Sequence, residues 1–210
     1  FFVMDFLKGE ELADFITREG ALPSATAVDM MLEIADGFAF AHSRGVVHRD
    51  VKTANIFLIT TPAVERYVKI LDFGIARITD STGEDQAHSL TKTGNVMGSV
   101  SYMSPEQALA RPVDHRTDIY SLGVVFYEMV TGNVPFQADS ALEVLSMQIQ
   151  QEPIPPSELH DNIDVHPYLE MIILKCLQKS PDHRYPSVEA LQADLKQAEV
   201  AITTGNAIPL

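Results

Sequence analysis

Apolar residues recur at Val28, Met31, Leu32, Ala35, Phe38 and Ala39 behind Pro23 and Ser24, a helical period that predicts a long amphipathic helix with Ser24 as its N-cap. Its end is predicted near Ser43, because Gly45 suits the left-handed position past the last turn and His42 and Arg44 suit the negative helix terminus. Gly37 in the interior costs about 1 kcal/mol against Ala, which points to close packing there. Three short runs of strand-forming residues follow: Val46-Val47, Ile56-Phe57-Leu58-Ile59 and Val68-Lys69-Ile70-Leu71. They predict small strands or hairpins framing loops. Residues 75–104 are rich in Ser, Thr and Gly with almost no periodicity, and a long irregular stretch inside a compact domain is usually functional. Thr117 to Thr131 is helical in length but apolar nearly all round, which predicts burial on every side. Further helices are predicted over 139–151, 167–179 and 187–201, with Pro-rich connections at 153–156 and around Pro181. The last residues, 203–210, read as an unstructured tail after one domain over 1–202. The pattern is mainly α with a few short β strands.

Composition narrows the partners. The chain has 210 residues, enough for one domain with a real core, and its 46% hydrophobic and 21% charged residues are globular proportions. Fifteen Lys and Arg against 29 Asp and Glu give a net charge of −14, which repels phosphate backbones and anionic lipid and argues against a nucleic-acid partner. The one cysteine, Cys176, makes neither an internal disulfide nor a cysteine metal cage, which fits a reducing, cytoplasmic setting, and reads as a buried small residue on a helix. No uncharged run approaches the roughly 20 apolar residues of a bilayer span; the run from Ile119 to Tyr127 stops at Glu128. No membrane segment is expected within the chain, though an anchor outside it is compatible with the pattern.

Chemistry concentrates in two places. His48-Arg49-Asp50-Val51-Lys52-Thr53-Ala54-Asn55 lies between two strand-like runs, and Asp72-Phe73-Gly74 follows another. His-Arg-Asp with Asn five residues after the Asp, then Asp-Phe-Gly, resembles the catalytic and metal-binding loops of protein kinases. The order continues with Ser104-Pro105-Glu106 where Ala-Pro-Glu is usual, then Asp118-Ile119-Tyr120-Ser121-Leu122-Gly123, then Arg184 after Pro181. The texture from Gly98 to Gln107 is similar to that of the eukaryotic-like serine/threonine kinases of bacteria. The resemblance runs from Phe1 to about residue 200 and implies the C-terminal lobe of the α+β protein kinase fold.

Phosphoryl transfer asks a protein mainly to position reactants and neutralise charge on phosphate oxygens. On that footing Asp50 is expected to accept a hydrogen bond from the substrate hydroxyl and aim it; a carboxylate is a weak base, so orientation matters more than proton affinity. Lys52 is placed to reach both Asp50 and the γ-phosphate of ATP. Magnesium prefers a few oxygen donors with retained waters, so Asn55 and Asp72 suffice for Mg²⁺. The resemblance implies that Ser99 stands where a Thr usually bonds the loop Asp and Lys. It makes His48 and Phe73 packing residues beside Gly74, and makes Glu106–Arg184 an ion pair and Asp118 a support for the catalytic loop. Phe57 resembles an adenine floor, with a plain core role nearly as well motivated. Arg49 beside Asp50 implies activation by phosphorylation, and Thr91 and Thr93 match the modified positions; a phosphate adds about −2 charge for Arg to grip. Asp80, Asp85 and Asp161 read as solvated turn residues, and the six histidines besides His48 as surface or satisfied groups.

The glycines contain no G-x-G-x-x-G and no P-loop spacing. The opening Phe2-Val3-Met4-Asp5-Phe6-Leu7-Lys8-Gly9 resembles the hinge between kinase lobes. By that match Met4, Asp5 and Leu7 face adenine and Glu10 or Glu11 the ribose, while an ordinary edge strand fits as well. The chain therefore reads as the hinge and C-terminal lobe of an ATP- and Mg²⁺-dependent kinase acting on Ser and Thr of proteins, with the N-terminal lobe absent and this piece inactive alone. A non-catalytic remnant serving as a scaffold and a small-molecule phosphotransferase are the alternatives. The resemblance allows a homodimer of the full-length protein.

Overall fold

The structure, a computed structural model, describes residues 7–60, 66–71, 95–159 and 163–205. Strand β1 (Gly9–Glu11) runs straight into helix α1 (Leu12–Glu19), and α2 (Ser24–His42) follows. A 3-10 turn (Thr53–Asn55) leads into β2 (Ile56–Ile59), which pairs antiparallel with β1 on one side and β3 (Tyr67–Ile70) on the other. The register sets Gly9 opposite Ile59 and Ile56 opposite Ile70. The remaining elements are helical: α3 (Asn95–Val100), α4 (Pro105–Ala108), α5 (Arg116–Thr131), α6 (Ala141–Gln150), α7 (Pro156–Leu159), α8 (Pro167–Cys176), a 3-10 turn (Pro181–His183) and α9 (Val188–Thr204).

Helix α5 is the axis of the core. From Thr117 to Thr131 every residue except Glu128 is buried, as its apolar circumference predicts. It packs on α8 at Gly123, where a Cβ would stand 2.6 Å from the Cys176 Cβ. Burial pushes the Cys176 thiol up to about 12, which makes it an inert core residue. Helix α2 packs its buried face, including Met31, Ile34, Ala35 and Phe38, against α9 and β3. The interior glycine now has its reason: a Cβ on Gly37 would lie 2.5 Å from Ile70 Cδ1.

Four local expectations change. Val46-Val47 is not a strand, because Val46 N–H closes on Ala41 C=O (3.1 Å) and Gly45 N–H on His42 C=O (2.9 Å), the paired bonds of a Schellman helix end. Ser24 does not cap α2; it is the first helical residue, and its hydroxyl accepts from His166 N–H at 3.1 Å, a tertiary partner that outcompetes the local one. The irregular stretch 75–104 contains α3, whose six residues are too few to display a period. Helix α9 continues through Thr203 and Thr204 before Gly205 turns left-handed at φ 66°, so these residues, expected in the tail, belong to the helix and its cap; 206–210 lie outside the described residues. The short helices α4 and α7 lack a legible period for the same reason of length, whereas α1 has Leu12, Phe15 and Ile16 at helical spacing and sequence reasoning missed it.

Candidate active site

The Schellman end of α2 delivers the chain into the His48–Asn55 loop, and buried Asp118 at the start of α5 receives it. Asp118 Oδ2 accepts His48 N–H and Oδ1 accepts Arg49 N–H, both at 2.8 Å. Oδ2 also bonds His42 Nε2 at 2.8 Å. His42 therefore departs from the expectation of a surface or satisfied residue: its side chain is buried, and Nδ1 has no hydrogen-bond partner among the described residues. His48 Nδ1 accepts Asp50 N–H (3.3 Å), which leaves Nε2 to donate to Leu71 C=O (3.1 Å) and fixes the ring's tautomer. Arg49, between these ties, is left-handed at φ 65°, a conformation costing about 1–2 kcal/mol for a side-chain-bearing residue.

Around Asp50 the donors converge. Asn55 Nδ2 bonds the Asp50 carbonyl at 2.8 Å and carboxylate at 3.2 Å. Lys52 Nζ bonds Asp50 Oδ2 at 3.0 Å and Ser99 Oγ at 3.2 Å. The Asp50 carboxylate stays more than a third exposed, open to a reactant. A recess beside it is lined by Arg49, Asp50, Ser99, Tyr102, Met103 and Gln107. A wider groove of about 510 Å³ on α8, lined by Pro167, Met171 and Leu174, shares none of these residues and no chemistry with them.

The segment 99–108 forms the other wall. Thr53 Oγ1 bonds Tyr102 Oη (2.9 Å), which donates to Glu128 at 2.5 Å. Burial, then the Glu128 charge, push the Tyr102 phenol up, and burial pushes Glu128 up. Ser104 caps α4 with a capping box: its hydroxyl accepts Gln107 N–H (3.3 Å) while Gln107 Oε1 accepts Ser104 N–H (3.1 Å). Glu106 meets Arg184 through two hydrogen bonds of 2.7 and 2.8 Å and accepts Thr117 Oγ1 at 2.7 Å. The other three guanidinium donors go to the carbonyls of Gln178, Arg116 and Lys179, so all five N–H bonds of Arg184 are used. Burial alone would raise Glu106, but Arg184 outweighs it and holds the carboxyl below its ordinary range. Further back, Lys179 Nζ bonds Tyr120 Oη (3.3 Å), which donates to Gln148, whose amide holds Ser101 C=O at 2.6 Å. Burial brings Lys179 down to about 8.

The structure thus brings together Asp50, Lys52, Asn55 and Ser99, and separately Glu106 with Arg184 and Asp118 with the loop backbone. Phe57 is half-buried on β2, its ring against Gly9, and Leu7 precedes β1. Glu10 is engaged by Arg18. Met4, Asp5, Asp72, Phe73, Gly74, Thr91 and Thr93 lie outside the described residues. Sequence reasoning missed His42, Tyr102 with Glu128, Gln148 and the reach of Gln107; only the last left a local sign, the Ser-x-x-Gln spacing of a capping box.

A helical body that presents an Asp-Lys-Asn loop against the capped segment 99–108 has the architecture of a protein kinase C-terminal lobe. The family described as the protein kinase domain matches residues 1–195, and the chain belongs to that family. It is 41% identical over 196 residues to the serine/threonine-protein kinase PknB of Mycobacterium leprae, covering 93% of this chain and 30% of that protein. It is 38% identical over 199 residues to the serine/threonine-protein kinase pkn3 of Myxococcus xanthus, covering 95% and 36%. The chain thus spans about a third of the length of these relatives. In fold it is similar to the crystal structure of a double mutant of the Mycobacterium tuberculosis PknI kinase domain, with a TM-score of 0.66, 20% identity and coverage of 93% of this chain and 64% of that one. No described helix is long and apolar enough to cross a membrane.

Proposed function

We propose that this chain is the substrate-side lobe of a protein serine/threonine kinase that transfers the γ-phosphate of ATP to Ser and Thr hydroxyls of proteins. The observation that carries the reading is the Asp50 carboxylate held by Lys52 and Asn55 yet open on its remaining side. Asp50 accepts the substrate hydroxyl's hydrogen bond and turns its oxygen toward the phosphorus. Lys52, already shared between Asp50 and Ser99, sets a fixed positive charge where negative charge grows, which costs no reorganisation during reaction. The donor set suits a hard cation: both Asn55 donor bonds go to Asp50, leaving Oδ1 as the oxygen offered to Mg²⁺, with Asp72 as its partner. Bound Mg²⁺ would neutralise charge on the phosphate oxygens. Met4, Asp5, Leu7 and Phe57 belong to the adenine side of this reading. His48, Asp118, Glu106 and Arg184 hold the loop and the peptide-side segment in place. Phosphorylation of Thr91 or Thr93 supplies a charge for Arg49.

Phosphate transfer from labelled ATP to a protein acceptor by the full-length gene product tests the reading. Asp50→Ala is expected to lower turnover by about 100-fold or more. Unchanged turnover, or labelling of a metabolite with none of any protein, would overturn it. Phosphopeptide mapping of active enzyme is expected to find phosphate on Thr91 or Thr93.

A further inference from the structure

Gln107 does more than cap α4. Its Oε1 accepts the Ser104 N–H at 3.1 Å, while its Nε2 reaches across to the carbonyl of Arg49 and donates at 2.9 Å. The two partners are of opposite kind, one a donor and one an acceptor, so the orientation of the amide is fixed by them. The Arg49 carbonyl belongs to the peptide unit whose N–H is that of Asp50, and that N–H is held by His48 Nδ1 at 3.3 Å. The preceding N–H, that of Arg49, is held by Asp118 Oδ1 at 2.8 Å. Arg49 is the left-handed residue of the loop, at φ 65°. A left-handed residue relaxes by rotating the peptide on either side of it, and here both peptides are clamped from different helices.

We infer that Gln107 is a positioning residue for Asp50: through the Arg49 carbonyl it locks the peptide unit that sets the direction of the Asp50 side chain. Rotation of that unit would swing the carboxylate away from Lys52 Nζ and Asn55 Nδ2, which reach it at 3.0 and 3.2 Å. Because Gln107 sits on α4, directly after the segment that faces the recess, the same bond makes the aim of Asp50 depend on where α4 lies. Loop and segment are also joined by Lys52 with Ser99 and Thr53 with Tyr102. Of these three ties between the loop and the segment, only the Gln107 bond acts on the backbone next to Asp50.

The inference rests on Asp50 as the hydroxyl-orienting carboxylate, and the test separates the two. A capping box accepts Glu as well as Gln at this position, so Gln107→Glu keeps the cap and replaces the donor to Arg49 with a carboxylate oxygen that the Arg49 carbonyl repels. Gln107→Met loses both. In the full-length enzyme Gln107→Glu is expected to keep its melting temperature within about 2 °C. Its kcat should fall about tenfold, equivalent to about 1.4 kcal/mol, with KM for ATP within about twofold, and hydrogen exchange at the Asp50 amide should rise. Wild-type kcat in Gln107→Glu would overturn the latch, and so would a loss of kcat that tracks loss of melting temperature across both variants, as a purely structural cap requires. Wild-type turnover in Asp50→Asn would instead overturn the reading of Asp50 itself.

Discussion

Glu106 and Glu128 both tie the segment 99–108 to the helices behind it, and both are largely withdrawn from water, yet burial has opposite outcomes for them. Glu106 faces a guanidinium with every donor satisfied, and its carboxyl is held below the ordinary range despite burial. Glu128 faces only neutral hydroxyls among the described residues, those of Tyr102 and Thr53, and burial wins, raising it. A cation that is itself fully hydrogen-bonded turns a buried carboxylate into a rigid anchor, whereas a neutral donor leaves a softer tie. The rigid anchor stands at the far end of the segment, and the soft one beside the recess that Tyr102 and Asp50 line.

The largest effect should come from breaking the rigid pair on one side. Arg184→Ala leaves a buried carboxylate unpaired and is expected to cost about 3–5 kcal/mol in denaturant unfolding; a loss below about 1 kcal/mol would mean that Glu106 is not the anchor. Glu106→Gln keeps the shape but gives up the charge-assisted bonds, for about 1.5–3 kcal/mol at neutral pH. The two carboxylates should also respond to pH with opposite sign. Glu106, lowered in the fold, contributes stability that is present above the ordinary carboxyl range and lost as pH falls through its lowered value. Glu128, raised in the fold, contributes stability that is present below that range and lost as pH rises through its raised value. Unfolding curves at several pH values should therefore show the cost of Glu106→Gln shrinking on acidification. At neutral pH Glu128→Gln should lie within about 1 kcal/mol of wild type, and any advantage it has there should close as pH falls. On the other side of the same tie, Tyr102→Phe is expected to cost about 0.5–1.5 kcal/mol for the lost hydroxyl bonds; a larger loss would place Tyr102 with the rigid anchor.

Much of the frame was legible along the chain. The all-apolar face of Thr117–Thr131 announced a buried helix, and the spacing of Asp50, Lys52 and Asn55 put three polar groups on one short loop, where the structure joins them. Val46-Val47 misled because β propensity measures fit to a pleated surface, while the Val46 N–H is consumed by the end of α2. Helix α3 was hidden by its length. His42 looked like a cation suited to a helix end, and nothing nearby in sequence signals the Asp118 carboxylate that it meets.

By itself, then, the sequence determined which of the longer segments are helical and buried, which polar residues share one short loop, and the family to which the chain belongs, because periodicity and motif spacing are short-range properties of a chain. Only the tertiary structure decided how that loop is held. The left-handed Arg49 is stable because Asp118 and Gln107, from two different helices, take its N–H and its carbonyl. Which donor finds which acceptor across such distances is set by the packing of α4 and α5 around the loop, and no local pattern encodes it.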